Sequence, residues 1–269
     1  MKKIILQFDG GGIRAVVSLT LLDQIKMAIK DVSLISGTST GGILAALLSK
    51  GYSVKECFDF YKKHGPNVFK KKFNFFGINN KYDIANITNT AKEYFSTDLF
   101  SSLPINTIIP SYNLSKGEVK LFKSTKDNYD TIVDAISSTV AAPTYFNPYI
   151  YNGDAMIDGG VYANCSAQIA LNELLCEGEK IDNIILISIG TGETNTEIKL
   201  KNPNLIQLLR HQGGSPLINS CIDGTTDVQV YNLNLLKKAG LEFYRLQIQL
   251  PNELSAMDNV KNINALIDY

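Results

Sequence analysis

Apolar positions along this chain switch between near-continuous runs and helical spacing, and that alternation predicts its elements. Residues 4–8, IILQF, read as a buried strand, followed by the glycine loop DGGGIR. Residues 15–29 then space Val16, Leu19, Leu22, Ile25 and Ile29 as one helix face. A second apolar run at 32–35 breaks at Ser36-Gly37, and a second helical pattern follows at once, closed by Lys50-Gly51. Ser53-Val54-Lys55-Glu56 is a capping box, and Gly65-Pro66 is expected to stop the helix it opens.

Further on, residues 66–82 are rich in Lys, Phe and Asn and show no clear period. A helix is expected at 83–95, strands at 105–114 and 118–124 joined by a Ser115-Lys116-Gly117 turn, and a helix at 131–140 ended by Ala-Ala-Pro143. The stretch GDAMIDGGVYAN reads as a strand end, 166–176 as a helix and NIILISIGTG as a buried strand. Helical patterns at 205–209 and 217–239, the alternating strand EFYRLQIQL and a last helix at about 256–269 complete the chain. Strands alternating with helices predict an α/β fold, a single three-layer domain over residues 1–269 with a mainly parallel central sheet.

Composition narrows the possibilities. The 269 residues are 45% hydrophobic, and 26 Lys+Arg balance 26 Asp+Glu, which argues against a general nucleic-acid binder. Cys57, Cys165, Cys176 and Cys221 are scattered without metal-ligand spacing, so no disulfide framework, metal or cofactor is expected. The basic start MKK is followed by an apolar run that ends at Asp9, too short for a signal peptide. No apolar stretch nears the ~20 residues that span a bilayer. The expected location is therefore cytoplasmic or peripheral to a membrane. Residues 61–81 depart from the overall neutrality. Lys62, Lys63, Lys70, Lys71, Lys72 and Lys81 interleave with Phe69, Phe73, Phe75 and Phe76, and the segment holds no acid. It reads either as a solvated loop with inward phenylalanines or as a surface for transient membrane contact, centred on Lys70, Lys71, Lys72 and Phe73.

Three glycine corners carry the candidate chemistry. Gly10-Gly11-Gly12-Ile13-Arg14-Ala15 fits a dinucleotide fingerprint, yet Asp31 precedes the second strand instead of ending it, as a ribose-binding acid should. The loop then reads as a tight turn, or as a row of amides at a helix N-terminus aimed at a negative oxygen. Gly37-Thr38-Ser39-Thr40-Gly41 fits a nucleophile elbow, a strand-to-helix turn that thrusts out a serine hydroxyl. Its bland reading is a glycine corner needed for packing. Asp158-Gly159-Gly160 is an ordinary Asp-Gly turn, or a carboxylate set beside Ser39. A serine nucleophile needs a base, and the chain has only His64 and His211. His64 reads as a helix-end residue. His211 follows the acid in hydrolase order and keeps a Ser39-Asp158-His211 triad open, although its following Gln-Gly-Gly looks like a helix end.

Taken in order, residues 9–15, 37–41 and 158–160 resemble the motifs of the patatin-like phospholipase family, as do AAPTYF at 141–146 and SIGTG at 188–192. The resemblance implies a serine-type lipid acyl hydrolase that cleaves fatty acyl esters of phospholipids without metal or catalytic histidine. It implies Ser39 as nucleophile, Asp158 as base and the amides of Gly10, Gly11 and Gly12 as an oxyanion hole. Asp9, Arg14, Gly37, Gly41, Gly159 and Gly160 would support them. Ala15 stands where the family has glycine, and Cys165 where it often has proline; neither touches the dyad. A non-catalytic lipid-binding module is the alternative from another class.

Overall fold

The computed structural model describes residues 2–72, 80–126, 129–194, 202–209 and 215–269. Among these, ten strands and ten α-helices are formed. The strands are β1 (Lys3–Phe8), β2 (Leu34–Gly37), β3 (Asn106–Asn113), β4 (Glu118–Lys123), β5 (Tyr149–Tyr151), β6 (Asp154–Asp158), β7 (Ile184–Ile189), β8 (Glu193–Thr194), β9 (Glu242–Leu246) and β10 (Gln249–Leu250). The helices are α1 (Ala15–Ile25), α2 (Thr40–Lys50), α3 (Val54–Val68), α4 (Ile84–Phe95), α5 (Ile132–Thr139), α6 (Gly160–Ala163), α7 (Ala167–Cys176), α8 (Leu205–Leu209), α9 (Pro216–Leu236) and α10 (Ile263–Asp268).

The main sheet has the order β5-β6-β3-β2-β1-β7-β9, with β4 along the outer side of β3. Strands β3, β2, β1, β7 and β9 are parallel, while β4, β5 and β6 run antiparallel to their neighbours. Alternation along each strand sends side chains to both faces. Leu6, Phe8, Ile35 and Ile109 enter the core under α1, α2 and α5, whereas Ile5, Leu34, Ile108 and Leu186 pack beneath α7 and α9. The expected three-layer α/β architecture with a mainly parallel sheet is therefore what the chain adopts.

One feature of pairing positions the site. β4 takes the whole length of β3 on one edge, from Ile108 to Asn113. β2 is four residues long and pairs only as far as Ile108 on the other edge, so β6 fills the remainder there, with Ser111 opposite Asp158. β2 and β6 thus run toward each other, and their carboxyl ends meet.

Several boundaries differ from the sequence pattern. α1 stops at Ile25 because Lys26 turns left-handed at φ 49°, and residues 29–31 form a separate 3₁₀ turn. α3 does not end at Gly65-Pro66 but carries Pro66 inside it and continues to Val68. The final helix spans only Ile263–Asp268, because the preceding stretch is bound to the glycine loop through Ile13 N–H to Met257 O, 2.8 Å. Strand β5 has no counterpart in the pattern reading.

Candidate active site

β1 and β2 are parallel neighbours in register, with Phe8 opposite Gly37, so the loops leaving them lie side by side. The second loop is the tight corner that the glycines suggest. A Cβ at Gly37 would strike the carbonyl oxygen of Gly41, and one at Gly41 would strike that of Phe8. Ser39 between them has φ 55° and ψ −127°, a conformation side chains seldom adopt and one that costs about 1–3 kcal/mol. Thr139 Oγ1 accepts the Ser39 N–H at 2.9 Å and donates to Pro110 O at 2.5 Å, clamping the corner from α5. The strain leaves the Ser39 hydroxyl at the N-terminus of α2, half-buried and facing a cavity of about 790 Å³.

Because β6 runs head-on toward β2, Asp158 arrives at the same point. Its carboxyl is buried, 5% exposed, and accepts the Gly160 N–H at 2.7 Å. Burial pushes it up to about 6, against the pull of the nearby Ser39 hydroxyl and of that amide, both of which favour the ionised form. Gly159 has no room for a side chain, since a Cβ would lie 2.5 Å from Pro110 O.

The first glycine loop closes over this pair. A Cβ at Gly10 would lie 2.9 Å from Ser39 Cβ and 2.5 Å from Asn164 Oδ1. Gly12 has φ 61° and its missing side chain leaves room for Met257 O. The Gly11 amide donates to Thr40 Oγ1 at 3.3 Å, so it is occupied, whereas the amides of Gly10, Gly12 and Thr40 have no acceptor among the described residues. The Thr40 amide, the first of α2, escaped the sequence reading; the general geometry of a nucleophile elbow is the signal that points to it. Asp9 is engaged by residues other than the pair. Gln7 Nε2 donates to it at 3.1 Å, and Arg245 on β9 ion-pairs with it at 2.6 Å and also donates to Ser188 Oγ. Arg14 lines the cavity, donating to Ser255 O at 3.3 Å.

His64 is not brought to this point. His64 is buried in α3, within hydrogen-bonding distance of Tyr94 Oη at 3.1 Å and packed on Phe60, so it does not serve as a helix-end residue. His211 lies outside the described residues. Of the basic segment, Lys70 is exposed and Lys71 lines the cavity, while Lys72 pairs with Asp83 at 2.9 Å and Lys81 with Asp258 at 3.2 Å. Phe69 packs inward on Tyr82 and Phe146; Phe73, Phe75 and Phe76 lie outside the described residues. No helix among the described residues is long and apolar enough to cross a membrane.

The cavity has two unlike arms. Ile43, Phe60, Tyr61, Val68, Ile87 and Phe146 give it an apolar lining from α2, α3, α4 and the segment after α5, and Arg14, Asn219, Asp223 and Asp227 a polar lining from the end of the glycine loop and α9. A hydroxyl beside a carboxylate of raised pKa, with free amides at a helix N-terminus, can support acyl transfer to serine.

Comparison with known proteins adds independent information. The patatin-like phospholipase family model matches residues 6–171. The cGAMP-activated phospholipase of Vibrio cholerae is 28% identical over 97% of this chain and 86% of its own length. Patatin-like protein 1 of Arabidopsis thaliana is 24% identical over 87% of this chain and 71% of its own. Among solved structures, VipD from Legionella pneumophila has a TM-score of 0.49 at 12% identity, covering all of this chain and 67% of VipD.

Proposed function

The chain belongs to the patatin-like phospholipase family, and we propose that it hydrolyses fatty acyl esters of membrane phospholipids through a Ser39–Asp158 dyad. The reading rests on one observation above all: the strained Ser39 corner and the buried Asp158 carboxyl meet because β2 and β6 share one edge of β3. The reaction then follows from the geometry. Ser39 Oγ attacks the ester carbonyl carbon and its proton passes to Asp158. The carbonyl oxygen becomes negative and is held by free amides of the Gly10–Gly12 loop and of Thr40, each such donor being worth about 2.7–4 kcal/mol in the transition state. Collapse breaks the carbon–oxygen bond to the lysolipid, which leaves with the proton from Asp158. Water attacks the acyl-enzyme with Asp158 again as base, freeing the fatty acid and Ser39. A carboxyl at about 6 is ionised at pH 7 yet more basic than an ordinary aspartate, which suits this double duty. The apolar arm of the cavity offers the acyl chain a seat.

The experiment is hydrolysis of mixed phospholipid vesicles, followed by mass spectrometry, with and without added cGAMP, since the Vibrio relative is named as cGAMP-activated. Ser39→Ala and Asp158→Asn are expected to lose at least a thousandfold in rate while keeping the fold. His64→Ala and His211→Ala are expected to retain most activity per folded molecule. A His211→Ala variant as inactive as Ser39→Ala would replace the dyad with a triad. Wild-type activity should rise with pH as one group ionises near pH 6.

A further inference from the structure

The polar arm of the cavity contains groups that the acyl-transfer chemistry leaves unused. Asn219, Asp223 and Asp227 stand at i, i+4 and i+8 on α9, so they form one stripe, and all three line the cavity. Asn219 Oδ1 is buried without a hydrogen-bond partner, while Asp223 and Asp227 are exposed and make no hydrogen bond or ion pair among the described residues. The stripe is therefore a row of oxygen acceptors, one buried and unpartnered and two open to solvent. Across from it stands Arg14, whose Nε is also buried and unpartnered, within electrostatic reach of Asp223. Of the other cations lining the cavity, Arg245 is engaged by Asp9 and Lys81 by Asp258, Lys71 is exposed, and Glu193 adds another carboxylate.

A buried unmet donor on Arg14, facing a buried unmet acceptor on Asn219 and two carboxylates free of other partners, suits a ligand that carries both charges. Building on the acyl-hydrolase reading above, we propose that Arg14 and the Asn219–Asp223–Asp227 stripe form a head-group site for a phospholipid bearing a primary amine, phosphoethanolamine being the fitting chemistry. The phosphate meets the guanidinium, and the ammonium donates to Asp223 and to one of its neighbours in the stripe, Asn219 or Asp227, which are about 12 Å from each other along the helix axis. A head group with no amine leaves the acidic stripe facing a phosphate, which repels it. A serine head group adds a carboxylate against Asp227 and Glu193. A quaternary choline has no N–H to donate and calls for an aromatic cage. The nearby ring of Tyr145 is already covered by Lys81 Nζ, 4.3 Å from its centroid. Desolvation in the cleft raises the Asp223 carboxyl above its usual range, opposed by Arg14, in keeping with a group awaiting a counter-charge.

Two readouts test the site. In the first, wild type, Asp223→Asn and Asp223→Lys are assayed on vesicles of phosphatidylethanolamine or phosphatidylglycerol with identical acyl chains. The wild type is expected to favour the amine lipid about tenfold. Asp223→Asn removes that preference and Asp223→Lys inverts it. In the second, Ser39→Ala is titrated calorimetrically with glycerophosphoethanolamine, glycerophosphocholine and glycerol 3-phosphate. The first should bind at least tenfold tighter than the others, and adding Asp223→Asn should abolish the difference. Ser39-dependent hydrolysis with equal rates on both lipids, and no selective binding, overturns the head-group site and leaves the hydrolase reading standing. Selective, Asp223-dependent binding without hydrolysis of any lipid does the reverse. Loss of both readouts overturns both.

Discussion

Asp158 shows what a single buried carboxylate costs and supplies. Its folded-state value of about 6 lies roughly two units above the ordinary 3.8, so the folded protein holds this proton more tightly than the unfolded chain. Below pH ~4 both states are protonated and the site is neutral to stability. Between pH 4 and about 6 the unfolded chain ionises first, and stability falls with rising pH. Above that a constant penalty remains, about 3 kcal/mol at 1.36 kcal/mol per unit. Asp158→Asn removes the ionisable group, so at pH 7 it is expected to raise the urea midpoint, with the gain vanishing below pH 4. An unchanged midpoint at pH 7 would mean that the carboxyl is not desolvated. At this scale the three glycine corners were legible because sterics leave few residue choices there, as at Gly37 and Gly41. Thr139 was not, since its hold on Ser39 spans 100 residues of sequence and a threonine in a helix has no distinguishing pattern.

Elements were legible where one face decides their period, and misread where a local exception was absorbed by tertiary contacts. α3 passes through Pro66, a residue that forfeits one helical hydrogen bond, because Val68 is buried beyond it and Phe69 joins the Tyr82–Phe146 cluster. The short span of α10 has a similar origin: residues ahead of it serve as a strap, with Met257 O on the glycine loop and Asp258 on Tyr82 Oη and Lys81. β2 is so short that its pattern gives no hint of the β6 strand that completes the β3 edge it leaves open. The lysine-rich stretch from Tyr61 to Lys81 divides into two kinds of residue. Lys72 and Lys81 are held by acids from outside the stretch, but Lys62, Lys63, Lys70 and Lys71 are exposed; Lys71 lines the cavity, which leaves the other three to meet an anionic surface. Lys62→Glu/Lys63→Glu/Lys70→Glu is therefore expected to lower hydrolysis on vesicles rich in anionic lipid severalfold, each lysine near such a surface being worth about 1 kcal/mol. Cleavage of a short soluble ester should be unchanged. Equal loss on both substrates would assign the segment to the fold instead.

At the scale of the whole molecule, the site depends on residues from opposite ends of the chain. Asp9 opens the glycine loop, yet its partner Arg245 comes from β9, 236 residues later and beyond the matched span 6–171. Both side chains are buried, 4% exposed for Asp9 and 14% for Arg245, and Gln7 and Ser188 bind them from β1 and β7. Burial works against the guanidinium charge, but Asp9 outweighs it and raises the Arg245 group above its usual range. Removing one partner strands the other in a site that excludes water, at about 3–5 kcal/mol, whereas replacing both by apolar side chains of similar size is close to neutral. Arg245→Ala is thus expected to lower the urea midpoint by an amount equivalent to those 3–5 kcal/mol. Arg245→Met with Asp9→Leu should recover most of it. The double variant also separates two roles of the pair. Recovered stability with hydrolysis still impaired would mean that the charges orient the Gly10–Gly12 amides over Ser39. Recovery of both would make the pair structural only. If the single variant is as stable as wild type, β9 is docked by its pairing with β7 alone, and the glycine loop is held from α2 and the Met257 strap instead.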